Sequence, residues 1–122
     1  AMGGYKYQGR NEEDAENILR DAKSVQDAGA FSIVMEGVKE SVARDITSKL
    51  RVPTIGIGAS PACDGQVLVI DDMLGMGGYI HSFVKSYAHI SQVIEQAVKT
   101  YGEEVRNRTF PSAEYCFPYK KK

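Results

Sequence analysis

Thr54-Ile55-Gly56-Ile57-Gly58-Ala59-Ser60-Pro61-Ala62-Cys63-Asp64-Gly65-Gln66-Val67-Leu68-Val69-Ile70 is the stretch on which the fold turns. Two β-branched runs, Thr54 to Ile57 and Gln66 to Ile70, flank a loop of Gly, Ser, Pro and Asp. Each run is short, largely apolar and bounded by turn residues, which predicts strands over 54–57 and 66–70 buried on both faces. Gly56 and Gly58 admit a close backbone approach or a positive φ, where a Cβ would clash. The stretch reads as the centre of a parallel α/β sheet or barrel.

Upstream, Asn11 is placed to cap a helix whose first turn carries Glu12, Glu13 and Asp14, acidic groups suited to the positive end of the helix dipole. Ala15, Ile18, Leu19, Ala22, Val25 and Ala28 recur at helical spacing, and Gly29 closes the segment. A strand over 31–35 follows and delivers Glu36-Gly37. A second helix over 40–50 turns Val42, Ala43, Ile46 and Leu50 inward before Pro53 stops it. Downstream, 71–78 reads as a flexible crossover and 82–105 as the longest helix. Its stripe is Phe83, Val84, Tyr87, Ile90, Ile94, Ala97, Val98, Tyr101 and Val105. Residues 107–122 hold two prolines and no period, and predict an extended tail.

The order helix, strand, helix, strand, strand, helix predicts right-handed βα units on a parallel sheet. The link from Ile57 to Val67 is too short for a full crossover helix, and a single helical turn near Pro61-Ala62 would bridge it. Three strands cannot close a barrel and leave two edges unpaired, so the architecture reads as incomplete.

A length of 122 residues allows one domain at most, and 43% hydrophobic with 25% charged residues is the composition of a soluble globular protein. A net charge of −1 supplies no pull towards nucleic acid or an anionic membrane, and Lys120-Lys121-Lys122 reads as a solvated terminus. Cys63 and Cys116 are too few for a disulfide framework or a zinc site, and reduced thiols fit a cytoplasmic protein. No apolar run has the length of a membrane span and no signal peptide is visible. Ala1-Met2 reads either as a tag remnant ahead of a start methionine or as native sequence inside a longer chain.

Gly56-x-Gly58 invites a dinucleotide-binding reading. The third glycine of that fingerprint would fall on Pro61, however, and no Gly-Lys-Ser/Thr is present for a P-loop. In parallel α/β folds chemistry collects at the carboxyl ends of strands, where Glu36, Ser60, Cys63, Asp64, Asp71 and Asp72 are the candidates. Glu36 is the most pointed, because Ile33-Val34-Met35 delivers it from the core. A partly desolvated carboxylate there gains basicity and suits proton abstraction beside a carbonyl. The alternative is a solvated strand-end glutamate, or an ion pair with Lys39 or Arg44. Asp64, within Cys63-Asp64-Gly65, reads as a turn former. Asp71-Asp72 reads as capping the next segment, since adjacent carboxylates pointing different ways make a poor cation site. His81 and His89 have no evident third ligand, and Cys63 has no His close in sequence to activate it.

Several stretches carry a resemblance: Gly3-Gly4-Tyr5-Lys6-Tyr7-Gln8-Gly9-Arg10, Asp27-Ala28-Gly29-Ala30, Val34-Met35-Glu36-Gly37-Val38 and Pro53-Thr54-Ile55-Gly56-Ile57-Gly58-Ala59. With Cys63-Asp64-Gly65-Gln66-Val67-Leu68-Val69, Asp72-Met73-Leu74-Gly75 and Phe110-Pro111, the chain resembles the ketopantoate hydroxymethyltransferase (3-methyl-2-oxobutanoate hydroxymethyltransferase) family. The match runs in order over essentially the whole chain. It implies that 1–122 is the C-terminal part of a single (βα)8 barrel domain: the helix after strand five, then strands six, seven and eight with the last helix. It also implies hydroxymethyl transfer from 5,10-methylenetetrahydrofolate to 3-methyl-2-oxobutanoate, giving 2-dehydropantoate for pantothenate and coenzyme A.

The glutamate closing the family's sixth strand is its catalytic base, and it falls on Glu36. By the resemblance, Mg2+ chelated by the keto acid's carboxylate and 2-oxo group stabilises the enolate. The carboxylates that hold the metal, and the Ser and Lys that hold the keto acid, lie on earlier strands and map onto none of Asp64, Asp71 or Asp72. The sequence departs from the family's usual pattern at Tyr7 (commonly Val), Ser60 (commonly Gly) and Asp71 (commonly His). Two functions of different class follow. One is the C-terminal part of an active transferase that is inactive alone and is completed by the N-terminal part of the barrel, or by further copies, since the family forms homo-oligomers. The other is a non-catalytic fragment serving as an oligomerisation or interaction module.

Overall fold

The computed structural model describes residues 6–118, so Gly3-Gly4-Tyr5 and Lys120-Lys121-Lys122 lie outside the described residues. Helix α1 (Glu12–Asp27) starts at the expected cap: the Asn11 side-chain oxygen accepts the Asp14 amide at 2.8 Å. The Asp14 carboxylate reaches back to accept the Gly9 amide at 2.6 Å, so the first turn and the strand-like segment before it brace each other. The buried face of α1 differs from the expected stripe towards its C-terminal end, where Ala28 is exposed and lies just beyond the helix. Ala22 and Gln26 are buried, whereas Val25 is 48% exposed. Gln26 turns inward because its side-chain oxygen accepts the Arg51 and Val52 amides at 2.6 and 3.2 Å, donors that would otherwise be orphaned ahead of the second strand.

Strand β1 (Ile33–Glu36), helix α2 (Glu40–Lys49), strand β2 (Thr54–Ile57) and strand β3 (Gly65–Gln66) form the centre. The sheet is parallel throughout, in the order β1-β2-β3. The core is Ala22, Met35, Val38, Ala43, Ile46 and Cys63, with Ile18, Leu19, Ile33 and Val42 packed against it. Both long helices at this end therefore cover the face that carries Ile33 and Met35. Strand alternation sends Val34 and Glu36 to the other face, where Val34 is 58% exposed. Val34 pairs with Ile55 and Glu36 with Ile57. The expectation of strands buried on both faces fails here, because no described element covers that second face.

Three element boundaries and one connection also differ from expectation. The first strand begins at Ile33 rather than at 31, where the Ile33 amide finds the Pro53 carbonyl at 3.1 Å; Phe31 is 91% exposed. The strand expected over 66–70 is only Gly65–Gln66, with the Val67 amide still bonded to the Gly56 carbonyl at 3.0 Å. β3 runs out of partner because β2 ends at Ile57 and Gly58 turns away with φ +58. The chain then enters a short helix α3 (Ile70–Met73) in place of the flexible crossover expected from 71. The long helix expected over 82–105 is α4 (Ile90–Arg106). Residues ahead of it are diverted: the Tyr87 and Ile90 amides bond the Met73 and Leu74 carbonyls at 2.8 and 3.0 Å, lashing the 79–89 strap to α3. Phe83, Val84 and Tyr87 therefore lie off α4. No residue of α4 is buried, and Val93, Ile94, Val98 and Tyr101 remain exposed. Beyond it, Phe110 packs between Tyr101 and Tyr115, ahead of and against a 3-10 turn at Ala113–Tyr115.

The connection over 58–64 joins two parallel strands without a crossover helix. Gly65 pairs with Ile55, so the chain steps back only about 7 Å along the sheet at the usual rise of a strand. Turn geometry suffices, with the Cys63 amide bonded to the Ser60 carbonyl at 3.2 Å. Two glycines make the fit possible. A Cβ at Gly56 would stand 3.0 Å from both Cys63 Sγ and the Gln66 side-chain oxygen, and one at Gly58 would enter the Phe83 ring. Gly58→Ala is expected to destabilise the protein by about 1–2 kcal/mol for the left-handed backbone and about 1–3 kcal/mol more for the overpacking. Gly65→Ala, where the nearest atom to a new Cβ is Ile55 Cγ1 at 3.9 Å, is the control and should leave the urea midpoint nearly unchanged. Equal midpoints for the two variants would contradict this account of Gly58.

Candidate active site at the carboxyl ends of the strands

Glu36 is the last residue of β1, and the chain around it is pinned from both sides. The Gly37 amide donates to the Ile57 carbonyl at 2.9 Å on the β2 side. On the other side Gln8 lies alongside Val38, its amide donating to Gly37 at 2.7 Å and its carbonyl accepting from Lys39 at 2.8 Å. The Glu36 side chain projects from the uncovered face, next to Ile57 in register and one alternation beyond Val34. Its carboxylate makes no hydrogen bond or ion pair among the described residues. Arg44, one of the two expected partners, is engaged by Glu40 instead, at 2.7 Å. Glu36 is thus an exposed, unpaired carboxylate at the strand end.

The other candidates separate clearly. Ser60 is buried and belongs to the rim loop, its hydroxyl donating to Glu40 Oε1 at 2.9 Å. Asp64 is a fastening: its carboxylate accepts the Thr54 amide at 2.8 Å, tying the start of β3 to the start of β2, as suits a turn former. Cys63 is buried against Thr47 and Gly56 on the helix-covered face, away from Glu36. Asp71 and Asp72 sit in the first turn of α3, but no side chain caps that helix, which begins after Val69; the capping expectation does not hold. His81 stacks on Phe83 at 5.2 Å and meets Tyr79 edge-on at 5.1 Å, while His89 is at the entrance of α4. Among the described residues no group of three or more His, Cys, Asp or Glu could hold a metal ion.

Beside the rim, a cleft of about 440 Å3 is lined by Gly58, Gln66, Met73, Phe83, Lys85 and Tyr87 among others, with the Lys85 ammonium 4.9 Å from the Tyr87 ring centre. Two rim residues escaped the reading of the sequence. Gln8 carries no local pattern that announces its pairing with Val38. Glu40 did carry one, since Glu40 and Arg44 stand four apart at the start of a helix.

Comparison with known proteins gives this arrangement its class. A family model described as ketopantoate hydroxymethyltransferase matches residues 1–113. The 3-methyl-2-oxobutanoate hydroxymethyltransferase of Sinorhizobium medicae (strain WSM419) is 56% identical over 120 residues, covering 98% of this chain and 44% of that protein. The 3-methyl-2-oxobutanoate hydroxymethyltransferase 1 of Pseudomonas aeruginosa (strain UCBPP-PA14) is 51% identical over 118 residues, covering 96% and 43%. That of Paramagnetospirillum magneticum (strain ATCC 700264 / AMB-1) is 50% identical over 123 residues, covering 100% and 45%. The class is thus α/β, with three parallel strands and flanking helices consistent with part of the TIM-type barrel of this family. The chain belongs to the ketopantoate hydroxymethyltransferase family and spans less than half the length of the curated relatives it matches. No helix among the described residues is long and apolar enough to cross a membrane.

Glu40 confers a pH dependence on the rim. The Arg44 guanidinium, then the Ser60 hydroxyl, hold its carboxyl below the ordinary value of 4.5, against a smaller opposing effect of desolvation. A carboxylate whose folded pKa is depressed stabilises fully above its unfolded pKa and loses that contribution as pH falls through the folded one. From about pH 4.5 downward, wild type should therefore lose stability relative to Glu40→Gln. Parallel pH profiles of the two urea midpoints would contradict the assignment.

Proposed function

We propose that the chain supplies the general base of a hydroxymethyl transfer from 5,10-methylenetetrahydrofolate to 3-methyl-2-oxobutanoate, with Glu36 as that base. The observation that carries the proposal is the place of Glu36, at a strand end on the uncovered face with no internal partner among the described residues. Family membership supports the reaction class. In this reading the Glu36 carboxylate takes the C3 proton of the keto acid, and the resulting enolate carbon bonds to the one-carbon unit carried by folate. The carbon's bond to one folate nitrogen breaks as the enolate adds, and water displaces the other nitrogen to give the hydroxyl. The C3 proton and a proton from water end on the two nitrogens, and 2-dehydropantoate and tetrahydrofolate leave. The described residues do not fit a Mg2+ site; in this reading the ion is held by segments outside them.

The keto acid, the folate and an N-terminal part of the barrel, or further copies of the chain, are the partners of this reading, in the cytoplasm. Both cysteines are free, which agrees with that compartment. The exposed stripe Val93, Ile94, Val98 and Tyr101 on α4 favours a second reading, in which the chain is a non-catalytic oligomerisation module.

Three measurements test these statements. In the assembled barrel, Glu36→Gln should abolish solvent exchange of the C3 proton of 3-methyl-2-oxobutanoate, a loss of about a thousandfold or more for removing a positioned base together with its charge; wild-type exchange would sink the role of Glu36. The chain alone should show no turnover, with activity appearing when a separately expressed N-terminal part is added. Absence of activity in the mixture as well would favour the module. Light scattering of the chain alone at micromolar concentration should show association, and a compact 13.4 kDa particle would refute covering of the open surfaces by further copies.

A further inference from the structure

Ser60 is 2% exposed, and four hydrogen bonds converge on it. Its hydroxyl donates to Glu40 Oε1 at 2.9 Å and accepts the Ala62 amide at 3.0 Å. Its carbonyl accepts the Gln66 side-chain amide at 2.8 Å and the Cys63 amide at 3.2 Å. The same Glu40 oxygen is gripped by Arg44 through Nε at 3.0 Å and Nη2 at 2.7 Å. A chain of contacts thus runs from the exposed side of α2 into the connection that leaves β2 beside Glu36. Gly58, at the head of that connection, abuts the Phe83 ring, and both line the 440 Å3 cleft.

We propose that Ser60 is a positioning residue: the Arg44–Glu40–Ser60 relay sets the conformation of the 58–64 connection and thereby places Gly58 and the Phe83 wall relative to Glu36. Its consequence for catalysis rests on the function proposed above; its consequence for the loop does not. Because the relay orders the site without touching substrate, its loss misplaces reacting groups more than it weakens binding.

The test compares wild type, Ser60→Ala, Glu40→Ala and the double variant in the assembled barrel, reading C3 proton exchange, the melting midpoint and the deuterium exchange of the Ala62 amide. Each single variant should lower the exchange kcat by about tenfold while KM for the keto acid stays within about twofold, the order of effect expected of misplacement. The double variant should be no worse than either single, the mark of one shared interaction. Glu40→Gln, which keeps an acceptor for the Ser60 hydroxyl, should restore most of the rate. Ala62 should lose protection in both single alanine variants. Additive losses, or a lowered melting midpoint with unchanged kcat, would overturn the positioning role. If wild type shows no C3 exchange at all, the proposed function fails and Ala62 decides the relay alone: protection retained in Glu40→Ala overturns it, and protection lost supports it.

Discussion

A parallel sheet needs cover on both faces, and among the described residues this one is covered on one. α1 and α2 take the face of Ile33 and Met35, and the core of the described residues lies between them and the sheet. Everything of chemical interest follows from what is left on the other side. Register places Val34 beside Ile55 and Glu36 beside Ile57, so the uncovered face is apolar along its length and acidic only at its carboxyl end. In a closed barrel that face would be interior.

The rim is held by backbone pairing, with side chains adding a second level of restraint. Gln8, Gly37 and Ile57 share hydrogen bonds across three segments far apart in sequence, so the neighbourhood of Glu36 does not depend on any one loop. Asp64 and Thr54 then fasten the far end of the 58–64 connection, while Ser60 and Glu40 fasten its near end. Of the carboxylates that were candidates in the sequence, Asp64 is a fastening of this kind, and carboxylates outside that set behave likewise. Asp14, Glu40 and Asp64 each satisfy a backbone or hydroxyl donor within the fold.

Local signals made much of the fold legible. Asn11 with its acidic first turn, the apolar spacing within α2, and Pro53 ahead of the second strand led to the right elements because each acts within one turn of the chain. The misreadings share a different cause. The length of β3 is decided by where its neighbour ends, which no property of Val67 or Val69 reveals. Residues 82–89 have a helical period, yet the Tyr87 amide is claimed by the Met73 carbonyl across the strap. Gln26 is inward for the sake of amides on another segment. The expected role of Glu36 was carried by the resemblance: residue physics alone favoured a solvated or ion-paired strand-end glutamate, and the structure shows no pairing with Lys39 or Arg44 while leaving the solvated reading in place.

The brevity of the step from β2 to β3 has a kinetic meaning. A long crossover or a mobile lid would lose conformational freedom each time a ligand arrived, at roughly 1–2 kcal/mol for every residue newly fixed. The 58–64 connection is already immobilised at Ser60, Cys63 and Asp64 by bonds that form when the chain folds. Its ordering entropy would therefore be absent from the binding equilibrium of any ligand that meets this wall of the rim.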